Sequence, residues 1–505
     1  MLFDSISVGQ GGTTGSISGT VTDPNKAVVA GATVVITNNA TKAEFTAVTN
    51  EDGFFKVPSL ESGLYTASIT GQGFKKANVT NIKVDVGLPS TINVQMALGA
   101  PTEEVTVVGG GELLRTENAT VGTTLTGRQI TDIPTASRDA LDLVLAMPGV
   151  GTPGRPRTSS VNGLPKGALT ITIDGVNVQD NLLKSSDGFF TYVRPRTDAI
   201  SEVTVSTSNP GAESSGEGAV QIKFVTASGS NDYHGEVYWY HRNPALNTNY
   251  WFSNRDLPAD PVTHKAPQQR ILLNQPGIKF GGPITIPKLF NGKDRAFFFV
   301  NYEEFRLPEK SSPRTRTILN PDAQNGWFQY TTSNASYAAA PPANVTCTGS
   351  GPFVCRANVF TLAANAGLPN TPDSTIAALL ASERSSLSGV ATIKDVGGNT
   401  PMLQQATFFN PGGQTRKFPV VRFDFNVTKK HHIEEIWNYQ IFDSAVDFLN
   451  SADPAFPGFP NFGSQDSIRF SNATAWRWTI AKNIVNEARY GLVGGPSATC
   501  LHAAR

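Results

Sequence analysis

From residue 233 onward the chain falls repeatedly into a two-residue rhythm of apolar and polar positions. In residues 233–240, Tyr233, Gly235, Val237 and Trp239 share one face, and His234, Glu236, Tyr238 and Tyr240 share the other. In residues 420–428, Val421, Phe423, Phe425 and Val427 alternate with Arg422, Asp424, Asn426 and Thr428. Successive strand side chains point to opposite sides, so each stretch is a strand with one apolar and one polar face. A membrane-spanning β-barrel needs this pattern, with lipid outside and water inside. A soluble sheet with one wet face produces it too. Taking a spanning strand as roughly 9–11 residues, about seven candidates follow residue 230. Long polar stretches separate them, chiefly residues 255–266 and most of 308–415. Such loops count against a compact soluble domain and suit the outward loops of an outer-membrane barrel.

The chain before that rhythm is organised differently. Residues 13–98 carry about seven short strand signals, at 16–22, 32–37, 45–49, 54–57, 64–70 and 91–97 among others, with turns between them. That spacing predicts an immunoglobulin-like β-sandwich. Asn50, Glu51, Asp52 and Gly53 read as a hairpin turn between two of the strands, since too few carboxylates converge there for a calcium loop. Phe45, Phe54, Phe55, Tyr65 and Phe74 are expected to fill the sandwich core. Next, Glu103, Glu104, Val105, Thr106, Val107 and Val108 form a strand-prone peptide between Pro101 and the glycines 109–111. It reads either as a linker strand or as a recognition peptide that adds itself to a partner's sheet edge. Residues 112–228 are a mixed α/β segment. Helical spacing appears near 126–133 and 139–147, and strands are expected at 169–173, 176–178, 203–206 and 220–225. Asp174 and Gly175 form the turn of a hairpin.

Composition narrows the picture. The chain has 505 residues, with Lys+Arg 41 against Asp+Glu 41, so no electrostatic affinity for nucleic acid is indicated. No apolar run approaches the roughly 20 residues of a membrane helix, so a membrane-embedded form would have to be a barrel. Cys347 and Cys355, close together in a polar loop, are read as a local disulfide or as two free thiols. Cys500 lies in a tail, residues 494–505, without strand pattern, and the first residues show no secretory signal. Both ends are therefore expected to be incomplete or misassigned. His431, His432, Glu434 and Glu435 contain two H-x-x-E spacings, but residues three apart in a strand face opposite sides, so no metal site is assigned. No catalytic triad, phosphate loop or paired-cysteine motif stands out, and no catalytic residue, cofactor or enzyme activity is assigned. Arg194 and Arg196 are read as contacts either to an anionic ligand or between parts of the protein.

The order of these parts resembles the TonB-dependent outer-membrane receptors, and within them the Oar-like branch. Residues 13–98, with Gly19-Thr20-Val21-Thr22-Asp23, Gly31-Ala32-Thr33-Val34 and the TNEDGFF run, are similar to the carboxypeptidase regulatory-like domain, a carbohydrate-binding-like fold that is non-catalytic in the family. Residues 99–111 stand where such receptors carry the Ton box and its linker. Ile133-Pro134, LVLAMPG at 143–149, Val161-Asn162-Gly163 and Ile173-Asp174-Gly175-Val176 resemble the plug, here residues 112–230. FGGPI at 280–284, DRAFFFVNYE at 294–303 and NEARY at 486–490 look Oar-like and belong to residues 231–505. The resemblance implies a mainly β chain: an Ig-like sandwich, a small α/β plug, then an incomplete transmembrane antiparallel β-barrel. It further implies outer-membrane lipid around the barrel, a TonB-type partner pairing with residues 103–108 in the periplasm, and uptake of a siderophore, oligosaccharide or peptide. About seven strands cannot close a wall around such a plug, since receptors of this plan use around 22. The rival reading is a secreted or surface carbohydrate-binding, adhesive β protein.

Overall fold

A computed structural model describes residues 5–8, 12–100, 104–108, 120–135, 137–151, 160–165, 167–180, 189–208, 220–256, 259, 263–266, 268, 271–310, 312–396, 400–410, 412–447, 452–481, 484–495 and 497–501. Glu103 and the glycines 109–111 lie outside them.

Alternating β-branched and small residues in Thr14–Thr22, Thr33–Asn38, Phe54–Glu61 and Gly63–Thr70 place Ile17, Val21, Val34, Ile36, Phe55, Leu60, Tyr65 and Ile69 on inward faces, where all are buried. Two sheets close over them. One runs Phe54–Glu61, Thr14–Thr22, Pro89–Thr91, with Val94–Gln95 also on Thr14–Thr22. The other runs Glu104–Val108, Lys76–Val84, Gly63–Thr70, Thr33–Asn38, Glu44–Val48. The turn at residues 50–53 is therefore not a hairpin between paired neighbours. Asn50 N–H donates to Phe54 O at 2.9 Å, so the turn closes locally, but Glu44–Val48 and Phe54–Glu61 continue into opposite sheets. A tight turn fixes the local reversal, whereas burial of both apolar faces decides which sheet each arm joins.

The plug is a five-stranded mixed sheet, Val121–Thr126, Ile200–Ser208, Val220–Thr226, Leu169–Ile173, Val176–Asn177. Every residue of Leu169–Ile173 and of Val220–Thr226 is buried. That is why these strands read as apolar-rich runs rather than clean alternations. The short helices Arg128–Asp132 and Leu141–Val144 pack Ile130, Leu141, Leu143 and Val144 onto the sheet. The same core takes in Ile436, Ala473 and Val493 from a surrounding wall of long strands.

That wall is a nine-stranded sheet. Its long members, His234–Arg242, Ile271–Pro283, Ala296–Lys310, Gln414–Thr428, His431–Ser444, Gly463–Ala481 and Ile484–Gly494, form an antiparallel meander. Ser5–Val8 and Ser497–Leu501 pair onto it as well. Hence the tail, whose sequence shows no strand pattern, contributes a strand. Among the described residues the sheet ends on Ser5–Val8 and on His234–Arg242 rather than closing on itself. Burial along it is inverted relative to the sandwich. Arg422, Asp424, Glu434, Asn438, Gln440, Asn301 and Glu303 face inward and are buried, while Val237 and Trp239 are 79% and 68% exposed. An apolar outer face with a charged inner face is the arrangement that lipid imposes. Among the described residues no helix is long and apolar enough to cross a membrane.

One end of the wall carries short connections, such as residues 429–430, and the other carries long ones: 243–270, 311–413 and 445–462. The largest is not the structureless polar loop that its composition suggested. It folds into two three-stranded sheets and the helix Ser374–Leu387, closed on a small core of Ile318, Leu387, Ala406 and Phe408. The sandwich sits at the short-turn end, where Asn231 N–H donates to Ala40 O at 3.3 Å and Arg477 reaches Glu61 at 3.2 Å. In outer-membrane barrels that end is periplasmic.

Candidate functional site

The plug meets the wall through charges, in two groups. The first lies toward the long loops. Arg196, on the segment leading into Ile200–Ser208, donates through Nε to Glu303 at 2.9 Å and pairs with the same carboxylate through Nη2. Arg138 pairs with Asp198, and its Nε stands 3.6 Å from Glu303. Tyr238 from the wall donates to Glu303 at 3.1 Å, and Lys279 reaches Asp198 at 3.1 Å. The Arg138 guanidinium also lies 3.6 Å over the Tyr240 ring. These groups come from the plug (Arg138, Arg196, Asp198) and from three wall strands, so the cluster is a joint between the two. Arg196 is thus a plug–wall contact rather than an open anion site. Arg194 is different: it is more exposed, 3.5 Å from Asp139, and its backbone N–H donates to Gln440 on the wall at 3.2 Å.

The second group surrounds the hairpin turn at Asp174 and Gly175. Both residues have positive φ, 51° and 79°, which suits a tight two-residue hairpin and explains why Asp and Gly stand there. The Asp174 carboxylate accepts from Thr226 N–H at 2.8 Å and from Thr226 Oγ1 at 2.6 Å. Burial pushes its carboxyl up, against the opposing pull of Arg422 and the Thr226 bonds. Arg422 donates to Thr226 O at 2.8 Å and pairs with Asp424 at 2.8 Å and Glu434 at 3.1 Å. Arg489 binds Asp174 O at 2.8 Å, Glu434 at 2.8 Å and Thr13 of the sandwich at 2.6 Å. Gly491 is needed beside them, because a Cβ there would stand 2.5 Å from a Val176 methyl. Sandwich, plug and wall therefore converge on one buried network.

That network includes an arrangement that H-x-x-E spacing does not contain. His432 and Glu434 lie two apart on one face, and Asp424 sits across from Glu434 on the next strand. Their ligand atoms fall within 4.8 Å of one another. Strand register, not sequence spacing, brings them together. The two carboxylates are already engaged by arginines, and His432 Nε2 lies 3.0 Å from Glu61. Burial works against the Glu61 charge, yet His432, Arg477 and Arg422 together hold its carboxyl below the usual carboxylate range. As arranged, the cluster is an ion-pair network between domains.

The peptide Glu104–Val108 is not loose. It pairs in parallel with Lys76–Val84, Glu104 opposite Lys76 and Val108 opposite Thr80. Glu104 accepts from Lys76 Nζ at 2.6 Å and from Asn78 Nδ2 at 2.7 Å, and these bonds hold its carboxyl below the usual range. Cys347 and Cys355 face each other on adjacent strands of the long-loop insert, and their sulfurs are bonded at 2.10 Å. Glu202 on the plug, an unforeseen member of the sandwich contact, accepts from Val86 N–H at 2.7 Å and is buried.

Two family profiles agree with this architecture. The profile of the outer membrane beta barrel domain matches residues 225–499, more than half of the chain, and that of the carboxypeptidase regulatory-like domain matches 16–97. The TonB-dependent transporter Oar of Myxococcus xanthus is 24% identical over 316 residues, covering 61% of this chain and 28% of its own length. Among solved structures, the ferric enterobactin receptor of Pseudomonas aeruginosa aligns with 10% identity and TM-score 0.38, over 76% of this chain and 42% of that one. The alcaligin outer membrane receptor of Bordetella pertussis aligns with 9% identity and TM-score 0.32, over 76% and 48%. The chain belongs to the outer-membrane β-barrel family, is located in the outer membrane, and is similar in sequence to the TonB-dependent transporter Oar. It spans 28% of the length of the curated relative it matches, and these relatives are transporters and receptors.

Proposed function

We propose that the chain forms the sandwich, plug and first part of the barrel of an importer driven by a TonB-type protein. In this division residues 13–98 are the periplasmic sandwich, 99–111 the coupling peptide and linker, 112–230 the plug, and 231–505 barrel wall. The ligand is a scarce solute, a siderophore, oligosaccharide or peptide, bound from the long-loop side. One observation carries the reading: the wall buries charged side chains such as Arg422, Asp424, Glu434 and Glu303 against a folded plug and turns an apolar face with Val237, Trp239, Phe425 and Val427 outward. A plug held to its wall by buried ion pairs blocks the lumen until work is done on it, because each pair loses much when one partner is withdrawn. The peptide 103–108, joined to the plug through its linker, is where that work enters. The bonded Cys347 and Cys355 suit an oxidising exterior. The adhesive reading has no support from an aromatic platform, since Phe55 and Tyr65 are buried, Phe45 and Phe74 pack against the same core, and Phe54, expected in that core, is a lone half-buried ring outside it.

The test is deletion of residues 103–108 from the full-length protein in its outer membrane. Uptake is expected to vanish while ligand binding persists; unchanged uptake would refute the coupling role.

A further inference from the structure

We propose that the sandwich presents the coupling peptide as a ready-made edge strand, so that the partner's sheet adds to a surface built jointly by Lys76–Val84 and Glu104–Val108. The inference rests on the coupling role proposed above. Three observations carry it. First, the peptide is in register over its whole described length: Glu104, Val105, Thr106, Val107 and Val108 lie opposite Lys76, Ala77, Asn78, Val79 and Thr80. Second, it is the terminal strand of its five-stranded sheet. Among the described residues it pairs on one side alone, which leaves a row of backbone donors and acceptors on the other. A strand edge of that kind is a template for another strand. Third, the peptide's described acidic group is already satisfied, since Glu104 is held by Lys76 and Asn78. What remains on offer is a Val-Thr-Val-Val backbone edge, which recognises a β-strand edge without demanding a charged partner.

Presentation has a physical advantage over a loose peptide. A segment that folds on binding must be ordered at that moment, and this lowers its affinity. Holding the peptide extended beforehand removes most of that cost. The sandwich thus becomes part of the partner-binding surface rather than a passive appendage. A peptide that first has to leave Lys76–Val84 would behave in the opposite way.

The experiment measures binding of the TonB-type partner's periplasmic domain to the full-length receptor. In the N78C/T106C variant the new cysteines stand opposite each other, and oxidation locks the peptide in place. Affinity of the oxidised variant is expected to stay within about twofold of the same variant under reductant, a comparison that cancels the lost Asn78–Glu104 bond; the parent controls for reduction of its own disulfide. A tenfold or greater loss on oxidation, reversed by reductant, overturns the proposal, because the peptide would then have to detach. So does failure of the pair to cross-link in the folded receptor. In K76E the Glu104 contact becomes repulsive, and affinity is expected to fall by roughly two- to fivefold, the range of an exposed pair; tighter or unchanged binding counts against presentation. Full binding after deletion of residues 103–108 would instead sink the coupling role itself.

Discussion

The sandwich and the barrel wall share one periodicity and bury opposite faces. In Thr33–Asn38 the buried positions are Val34, Ile36 and Asn38, two of them aliphatic, and the intervening threonines and Val35 lie partly open. In Gln414–Thr428 the buried run is Phe418, Val420, Arg422 and Asp424, while Val421 and Phe423 look out, Phe425 is 37% exposed and Val427 60%. Alternation therefore specifies a strand and a register, but not which face is the interior. What solvates each face decides that. In water the apolar face seeks its like; in lipid the charged face must turn inward and find partners.

The largest expected effect comes from breaking the inward face. Arg422→Leu strips Asp424 of the guanidinium that grips both its oxygens, and it removes one of two arginines from Glu434. Withdrawing one member of a buried ionic group costs about 3–5 kcal/mol. The protein in its outer membrane should lose its plug–wall contact at lower urea, with plug proteolysis as the readout. An unchanged midpoint would mean that water, not the plug, satisfies the inner face.

The sandwich offers a milder break at its contact with the plug. Burial, with Asp85 nearby, pushes the Glu202 carboxyl up to about 7, against bonds from Val86 N–H and Thr204. The docked state therefore favours the protonated form. Its contribution is complete below the undocked carboxylate range and is lost as pH rises through about 7. The upward shift is worth roughly 3 kcal/mol at the alkaline end, at about 1.4 kcal/mol per pH unit. Protease access to residues 85–89 should rise between pH 5 and 8, and Glu202→Gln should flatten that rise. A profile that survives the substitution assigns the titration elsewhere.

These regions also differ in how much the chain announces them. Strand existence was legible wherever Val, Ile, Phe and Tyr alternate with polar residues, and so were the Asp174–Gly175 turn and the order of fold types, sandwich then plug then wall. The partners of each strand were less so. Asn50 and Gly53 spell a turn, yet sheet assignment depends on contacts such as Thr20 opposite Phe54, far away in sequence. The long-loop insert was invisible because its core is four residues drawn from Ile318 to Phe408. Arg138, Glu202 and Glu303 carry no motif; only the packing of plug on wall makes them matter. His432, Glu434 and Asp424 met through strand register, which spacing along one strand cannot reveal.

The outward face gives a sharper contrast with its immediate neighbour. Phe423 follows Arg422 and points the other way, toward lipid. Phe423→Arg should cost about 2–4 kcal/mol if the position lies near the bilayer midplane, less toward either rim. The readout is the heat-modifiable folded fraction in the outer membrane. A soluble, fully folded variant would overturn the lipid-facing assignment and with it the reading of the whole wall.

The smallest effect tests the comparison most directly, with a single methylene on each side of it. Ile36 is fully buried in the sandwich, so Ile36→Val removes a packed methylene and should cost about 0.5–1.5 kcal/mol. Ile433 stands on the outer face of the wall, on the same side as Trp437 and opposite Phe425 of the neighbouring strand. There Ile433→Val exchanges a side chain packed against lipid tails, which close over the change without leaving a cavity. Its cost should stay below about 0.5 kcal/mol, the range of substitutions away from packed features. Unfolding of each variant in bilayers, followed by protease digestion of the sandwich and by heat-modifiability of the wall, separates the two sites. Equal costs would mean that the outer face is packed by protein rather than lipid, and the inversion of burial between the two regions would then have no membrane to explain it.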